Sequence, residues 1–436
     1  MKTVAFHNLG CKVNAYEIDI MQQKFIENDF QVVPFSQKAD VYVINTCTVT
    51  NMADRKSRQM IHRAKTLSPD SVVIAVGCYV QTAAENVKAD MAVDIAIGNN
   101  RKSEIVEILN QYYSKNERIF DIIDINHTKE YESMMLEETA DRTRAYIKIQ
   151  DGCNQFCSYC LIPYARGRVR SREMDDILEE IRNISDKGYE EVVLTGIHVS
   201  SYGIETPNDL SQNKLADLLE KIQEIPTVRR IRLSSLEPRV VTPEFVRRIS
   251  KLDKLCPHFH LSLQSGCDAT LKRMNRHYSA AQYLEGVKLL REYFNDPAIT
   301  TDVIVGFPGE TEEEFEASYE FCKEAGFYEM HIFKYSKRKG TVAEKLPNQV
   351  PDEIKAQRSD KMLELEASLS KDFRERHLGK IAEVLYEEKK VINGTTYQLG
   401  HTPEYIKVAK ATKEDLSNRI ISEHLKELLN DEIVLV

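Results

Sequence analysis

Short apolar runs alternate with amphipathic stretches twice along this 436-residue chain, and that pattern leaves few architectures open. In the first series the runs are Val4–Leu9, Val41–Ile44, Val72–Val76 and Met91–Gly98. Between them lie the helical patterns NAYEIDIMQQKFIENDF and MADRKSRQMIHRAKTL. Strands with helices between them imply a parallel sheet with covered faces, so residues 1–120 read as an open α/β domain. Polar, acidic text (KEYESMMLEETADRTR) then breaks the rhythm, and 121–143 reads as a connection. The second series holds six strands: AYIKIQDG, EVVLTGIH, RRIRLSSLEP, FHLSLQSG, ITTDVIVGFPG and EMHIFKYS. Six βα units fit a partial (β/α) barrel over 144–370 better than an open sheet, although spacing alone also admits a doubly wound one. A long amphipathic stretch, from Asp352 to about Arg376, then leads into a different tail. The remainder, 371–436, alternates, carries the hairpin pair Asn393-Gly394 and ends in an apolar strand at Glu432–Val436, which suggests a small β-barrel. The fold class is α/β.

Charge and composition narrow the partners. The net charge is −9, with 59 Lys+Arg against 68 Asp+Glu, so any nucleic-acid contact must come from local basic patches. No apolar run approaches the roughly 18 residues of a membrane helix, and the N-terminus is too short for a signal peptide. The expectation is a cytoplasmic protein that binds neither membrane nor DNA.

Nine cysteines in a reducing compartment read first as metal ligands or catalytic thiols. Cys153, Cys157 and Cys160 form C-x3-C-x2-C just after the first strand of the second series. Three thiolates on one loop, with no fourth Cys or His at helpful spacing, suit an iron–sulfur cluster with one open iron; structural zinc prefers paired ligands. Cys11, Cys47 and Cys78 each follow a strand of the first series. In an open parallel sheet that edge is where ligands bind, so the three could converge on a second centre. The bland alternative is three small core residues at strand ends. Cys256, Cys267 and Cys322 have no partners at ligand spacing and read as core.

C-x3-C-x2-C with Tyr159 before its last cysteine resembles the signature of radical S-adenosylmethionine enzymes. With the three-cysteine first domain and the small last barrel, the whole chain resembles the radical S-adenosylmethionine methylthiotransferases. The matching stretches are NLGCKVN, VINTCTVT, VGCYVQ, IQDGCNQFCSYCLIPYARGRVRSR, LTGIHVSSYG, LSSLEP, LSLQSG and TDVIVGFPGE. NLGCKVN and IPYARGRVRSR look most like the branch acting on threonylcarbamoyladenosine beside the anticodon of tRNA. The isopentenyladenosine branch and the branch modifying a ribosomal-protein aspartate tend to begin differently.

The resemblance implies two 4Fe–4S clusters and S-adenosylmethionine. Cys153, Cys157 and Cys160 would hold the radical cluster, and Cys11, Cys47 and Cys78 an auxiliary cluster carrying the sulfur to be transferred. Thr195 and Gly196 match the strand end that meets the methionine amino group. Ser234, Glu237, Gln264 and Arg276 fall where the cofactor is expected, or where polar residues brace barrel loops. Arg166, Arg168, Arg170 and Arg172 alternate with no intervening acid and suit phosphate contacts to the anticodon stem-loop, or, for some of them, the cofactor carboxylate. The last domain would be a TRAM-type RNA-binding barrel, yet from Lys371 onward 11 Lys+Arg stand against 12 Asp+Glu, so only one face could serve RNA. A low-potential donor such as a flavodoxin is expected. Radical generation requires no acid–base pair, and no catalytic acid or base is nominated. The alternative of another class is a non-catalytic iron–sulfur RNA-binding module, distinguished by whether the reduced protein cleaves S-adenosylmethionine.

Overall fold

A computed structural model describes residues 1–138, 143–204 and 214–436. The first domain is a six-stranded parallel sheet made of β1 (Lys2–Asn8), β2 (Phe30–Val33), β3 (Val41–Thr46), β4 (Val72–Gly77), β5 (Ile95–Ile97) and β6 (Ile119–Asp121), in the order β2-β1-β3-β4-β5-β6. All six residues of β3 and of β4 are buried, as a strand covered on both faces requires. Val41, Val43, Ile74 and Val76 pack with the helices Lys12–Glu27 and Ile105–Lys115. Tyr42, Ile44, Val73 and Ala75 pack with the helix Asn51–Leu67. The carboxyl ends of β1, β3 and β4 therefore lie side by side.

The connection is strapped down rather than loose. Met134 and Leu136 are buried in the core of the next domain, together with Tyr16 and Ile20 of the first helix. Residues 139–142 of the 121–143 segment lie outside the described part.

The second domain has β7 (Arg144–Asp151), a two-residue β8 (Arg170–Ser171), β9 (Glu191–Gly196), β10 (Arg230–Leu233), β11 (His258–His260), β12 (Ala298–Val305) and β13 (Glu329–Lys334). Parallel ladders join β7, β9 and β10, and again β11, β12 and β13. Single bridges, Ile231 to Leu255 and Leu236 to Leu261, carry the curve from one group to the other. Alternation then sorts the side chains by face. Ile147, Leu194, Ile231, Phe259, Val303 and Met330 face outward into a core with the surrounding helices. Arg144, Glu191, Arg232, His260, Asp302 and His331 take the opposite parity and line the lumen. No ladder joins β7 to β13 among the described residues, and the first helix of the N-terminal domain packs against β7 and β9.

The long helix, Asp352–His377, runs unbroken through position 370. Its end packs under the last domain, with Phe373 against Tyr328 at 4.4 Å. That domain comprises β14 (Ile381–Ile392), β15 (Thr395–His401), β16 (Lys407–Ala411), β17 (Ile420–His424), β18 (Glu427–Leu428) and β19 (Val434–Leu435), ordered β17-β14-β15-β16-β19-β18. Asn393 and Gly394 turn the β14–β15 hairpin with φ of 48° and 80°, the pair of positive values a type I′ turn needs. Only Leu425 and Lys426 separate the two edge strands, so the sheet closes on itself as a barrel. No helix among the described residues is long and apolar enough to cross a membrane.

The last domain also plugs the amino-terminal end of the lumen. The Tyr405 ring stacks on His258 at 5.0 Å and on His401 at 4.4 Å. Arg144 and Arg232 lie over it, at 5.1 and 4.9 Å. Arg232 donates to Pro403 O at 2.8 Å and to Glu191 Oε1 at 2.7 Å. Burial alone would raise the Glu191 carboxyl, but Arg232, Arg144 and Arg230 outweigh it and hold the group at about 2. A depressed carboxylate stabilises the fold above its unfolded pKa of about 4.3, and that contribution is lost as pH falls through the folded value. Glu191→Gln should therefore unfold at lower urea concentration at pH 7, by about 3 kcal/mol. The gap from wild type should narrow below about pH 4 and close near pH 2; a gap independent of pH would show that charge pairing is not what Glu191 contributes.

Candidate metal centres and cofactor site

β7 delivers the C-x3-C-x2-C loop to the mouth of the lumen. Gly152 (φ 74°) turns the chain where a Cβ would meet Arg168 O at 1.9 Å, so only glycine fits this close approach. Cys153, Cys157 and Cys160 follow, all half-buried. The loop is stitched to the segment after the helix Asp268–Arg273: Ser158 N donates to Met274 O at 2.9 Å, and Asn275 Nδ2 to Phe156 O at 3.0 Å. Donors aim at each sulfur. Gln155 N lies 3.5 Å from Cys153 Sγ, Ile162 N 3.4 Å from Cys160 Sγ, and Arg276 Nη1 3.3 Å from Cys157 Sγ. Burial pushes the Cys153 thiol up to about 12, so a thiolate here needs a cation or cluster as partner.

The other three cysteines stand together at the carboxyl edge of the first sheet. Cys11 caps the helix Lys12–Glu27 after β1, Cys47 follows β3, and Cys78 opens the short helix Cys78–Thr82 after β4. At Gly10 (φ 109°) a Cβ would come within 3.0 Å of Cys47 Sγ, so the chain bearing Cys11 passes directly over Cys47. Burial, and then Cys78 and Cys11, push the Cys47 thiol up to about 11. Asn14 pins the two strand ends, donating to Leu9 O at 2.7 Å and to Thr46 O at 3.1 Å. With N–H donors on the sulfurs, the residues fit iron–sulfur clusters. Cys256 and Cys322 are buried, and Cys267 caps the helix Asp268–Arg273.

A single short helix, Ile162–Arg166, links the two trios. It starts just after Cys160, and at its end Arg166 Nε donates to Cys78 Sγ at 3.3 Å. Six residues at about 1.5 Å each separate the two contacts along this segment, on the order of 10 Å.

Of the four alternating arginines, only Arg168 is exposed, and it lies 4.4 Å over the Phe156 ring. The expectation that all four meet RNA phosphate is corrected by where the other three point. Arg166 is fully buried, with Nη1 on Glu17 Oε1 at 2.5 Å and Nη2 on Asn14 Oδ1 at 2.6 Å. Arg170 is buried and donates to Arg168 O at 3.0 Å. Arg172 is buried on Glu180. Their acids come from the first helix (Glu17), from the end of β7 (Asp151, 3.2 Å from Arg166 and 3.9 Å from Arg170) and from Met174–Asp186 (Glu180).

The strand ends around the lumen mouth carry buried polar atoms with no hydrogen-bond partner among the described residues: Ser234 Oγ, Glu237 Oε2 and His198 Nε2. Thr195 is buried, and a Cβ on Gly196 would lie 3.0 Å from Gln150 Oε1. The other Glu237 oxygen accepts from Arg239 Nε at 2.7 Å. Gln264 takes a left-handed backbone (φ 69°) and ties to β12 through Gln264 N to Asp302 O at 2.8 Å. Arg276 is already engaged by Cys157, by Ser262 O and by Tyr278. Unmatched donors and acceptors around a cluster loop fit a zwitterionic amino acid such as S-adenosylmethionine. His198 and Arg239 were not singled out in the sequence. Burial, with Arg276 and Arg239 near, holds the His198 imidazole at about 3, and its only sequence signal is its place at the end of TGIH. On the lumen-facing side of the barrel strands, His260, Asp302 and His331 bring atoms within 4.8 Å of one another.

Residues 147–322 match the family model described as the Radical SAM superfamily, and residues 3–98 that described as Uncharacterized protein family UPF0004. The chain is 40% identical over 423 residues to the threonylcarbamoyladenosine tRNA methylthiotransferase MtaB of Bacillus subtilis (strain 168), covering 97% of this chain and 93% of that one. The protein of the same name from Thermotoga maritima is 36% identical over 398 residues, 90% of this chain and 89% of its own. A tRNA-2-methylthio-N(6)-dimethylallyladenosine synthase of Acetivibrio thermocellus is 33% identical, covering 88% and 81%. Among solved structures, the radical S-adenosylmethionine methyltransferase TsrM of Kitasatospora setae aligns with a TM-score of 0.55 at 15% identity, over 76% of this chain and 75% of that one. At such low identity that likeness shows the fold. Both domain models and near-full-length identity make this chain a member of the radical S-adenosylmethionine methylthiotransferase family.

Proposed function

We infer that the chain places a methylthio group on carbon 2 of threonylcarbamoyladenosine beside the anticodon of tRNA. The observation that carries this reading is the pair of three-thiol sites facing each other across one five-residue helix. Two relatives quoted above with 36–40% identity carry the threonylcarbamoyladenosine name, and one with 33% the dimethylallyladenosine name. Membership of the family brings S-adenosylmethionine and 4Fe–4S clusters as cofactors. Bound here, they supply the sulfur, the methyl group and the radical that removes hydrogen from an inert aromatic carbon.

The residues of the chain do the holding and aiming. Cys153, Cys157 and Cys160 are the ligands of the radical cluster, with Arg276 fixing Cys157. Cys11, Cys47 and Cys78 are those of the auxiliary cluster, with Arg166 and Asn99 donating to Cys78 Sγ at 3.3 and 3.6 Å. Ser234 Oγ and Glu237 Oε2 accept the cofactor's ammonium beside Thr195 and Gly196, and Arg239 is within reach of its carboxylate. Arg168 and one face of the last barrel contact the stem-loop, and a low-potential donor such as a flavodoxin reduces the protein in the cytoplasm.

Mass spectrometry of tRNA nucleosides from cells with and without the gene tests the reading, which requires loss of the 2-methylthio derivative of threonylcarbamoyladenosine alone. Cys157→Ala should abolish cleavage of S-adenosylmethionine. Cys47→Ala should keep that cleavage, transfer no methylthio group and lose about half its iron; full iron content with full methylthiolation would make the strand-end trio mere core. Arg168→Ala should weaken tRNA binding and lower the salt slope by about one, and an unchanged slope would remove Arg168 from the interface.

A further inference from the structure

Three neighbouring strands of the barrel bring two imidazoles and one carboxylate to a single point on the lumen wall, and none of the three carries a cysteine of either trio. β12 runs between β11 and β13, and the parallel registers set Thr300 opposite His260 and Asp302 opposite His331. Residues two apart on a strand share a face, so His260, Asp302 and His331 form a triangle across three strands. Each offers one ligand atom, and these atoms all lie within 4.8 Å of one another. Asp302 precedes Val305, the last residue of β12, by three positions, which sets it on the order of 10 Å below that strand's end.

Hydrogen bonding fixes how His260 is presented. Its Nδ1 lies 3.0 Å from Thr300 Oγ1, and that hydroxyl lies 3.5 Å from His258 Nε2. The tautomer that satisfies both neighbours has Nδ1–H donating to Thr300 and the hydroxyl proton directed at His258, which leaves a bare lone pair on His260 Nε2. Metal-ligating histidines are held in this way, with the far nitrogen donating to an oxygen and the near one free. His260 Nε2 is buried with no hydrogen-bond partner among the described residues, yet Asp302 Oδ2 lies 3.3 Å from it. Two acceptors facing each other at that distance repel unless a cation stands between them. The spacing suits one ion: bonds of about 2.0–2.1 Å at tetrahedral angles set two donor atoms roughly 3.3 Å apart. His331 completes the set from the next strand. Its ring centre is 5.8 Å from that of His260, and two imidazoles on one ion have their centres roughly 5–6 Å apart. His331 is exposed and the Asp302 side chain is 27% exposed, so an ion reaches the site without opening the fold. The lumen arginines over Tyr405 are already matched, Arg232 by Glu191 at 2.7 Å and Arg144 by Glu387 at 3.3 Å. Asp302 has no ion-pair partner but His260 among the described residues.

We propose that His260, Asp302 and His331 bind a divalent first-row transition ion, with Thr300 orienting His260 from behind. Two imidazoles and a carboxylate are a donor set that zinc and iron(II) take, and three protein ligands leave positions open toward the lumen. The ion presents those positions to a lone-pair donor of the molecule that enters the barrel. This centre holds no thiolate, and so differs in chemistry from both cysteine trios.

Zinc alone is the probe, added without oxygen to the full chain after both cysteine trios have been loaded with clusters, and the excess is removed by gel filtration. Metal analysis should give about one zinc per chain above the iron. X-ray absorption at the zinc edge should show nitrogen and oxygen neighbours at about 2.0–2.1 Å and no sulfur shell near 2.3 Å. Affinity is read by competition with a chromophoric chelator. Loss of an outer partner of a metal ligand costs about 10–100-fold in affinity, so Thr300→Val should weaken zinc binding by about tenfold or more. Asp302→Ala and His331→Ala remove ligands outright and should each cost about a hundredfold or more. Iron content and circular dichroism should stay at wild-type values, and His331, being exposed, is the position where folding is least at stake. A chain that retains no zinc, a sulfur shell at the zinc edge, or wild-type zinc affinity in His331→Ala overturns the inference. None of these outcomes bears on methylthio transfer, which tRNA nucleosides report separately.

Discussion

The carboxylate of Glu17 is the point on which the two cluster-bearing domains are hung. It stands on the first helix of the N-terminal domain, fully buried, and meets three cations. Lys102 comes from its own domain, while Lys148 at 3.0 Å and Arg166 at 2.5 Å come from the barrel. Asp151, one residue before Gly152, adds a second carboxylate, 2.7 Å from Lys148 and 3.2 Å from Arg166. Burying five charges is costly, and what offsets it is that each has hydrogen-bonded partners of opposite sign. Removing any one leaves the others uncompensated, typically at about 3–5 kcal/mol. The knot therefore acts less as glue than as a register: it admits one arrangement of the domains, the one that presents Arg166 to Cys78.

From this register the rest of the site follows. The strands of both domains run parallel to their neighbours, so each collects its ligand-bearing residues at one edge. The knot turns the edge of the first sheet toward the mouth of the barrel. The last domain works from the opposite end, where Tyr405 and the arginines around it seal the lumen. The barrel thus meets the first domain at the carboxyl ends of its strands and the last domain at their amino ends.

What the sequence made legible was whatever depends on local spacing. C-x3-C-x2-C puts three thiols on one loop whatever surrounds it, Asn393-Gly394 has one favourable turn, and the six barrel strands are apolar enough to be counted. The family signatures add the identity. Short elements escaped: β2 and β6 have four and three residues, none of them buried, so they lack the apolar run that marks a strand. The arginine row was misread for a physical reason. Alternation shows only a row of arginines; tertiary structure shows that Arg166 ends a helix, that Arg170 lies in β8, and that these two and Arg172 turn inward while Arg168 stays exposed. The acid that claims Arg166 lies 149 residues away, on a helix of another domain. Likewise the boundary drawn at residue 370 falls inside a continuous helix, because the alternating text that marks the last domain starts only after the helix that leads into it has ended at His377.

The distribution of positive charge around the thiols explains why so much buried basicity is tolerated. Iron–sulfur clusters held by thiolates are anionic on balance, and they sit best where fixed donors and positive ends of dipoles converge. Three helices begin at the cysteines: Lys12–Glu27 at Cys11, Cys78–Thr82 at Cys78 itself, and Ile162–Arg166 just beyond Cys160. Ile162 N, at the start of its helix, lies 3.4 Å from Cys160 Sγ, as the unpaired N–H groups of a helix N-terminus favour. Arg166 and Arg276 add one guanidinium to each trio, on Cys78 and Cys157. Buried cations continue into the lumen with Arg144 and Arg232, which lie over the Tyr405 ring. A chain of net charge −9 thus concentrates its buried cations along the one axis where anionic groups gather, and the acids that balance them, Glu17, Asp151, Glu180 and Glu191, are those that fix how its domains and elements fit together.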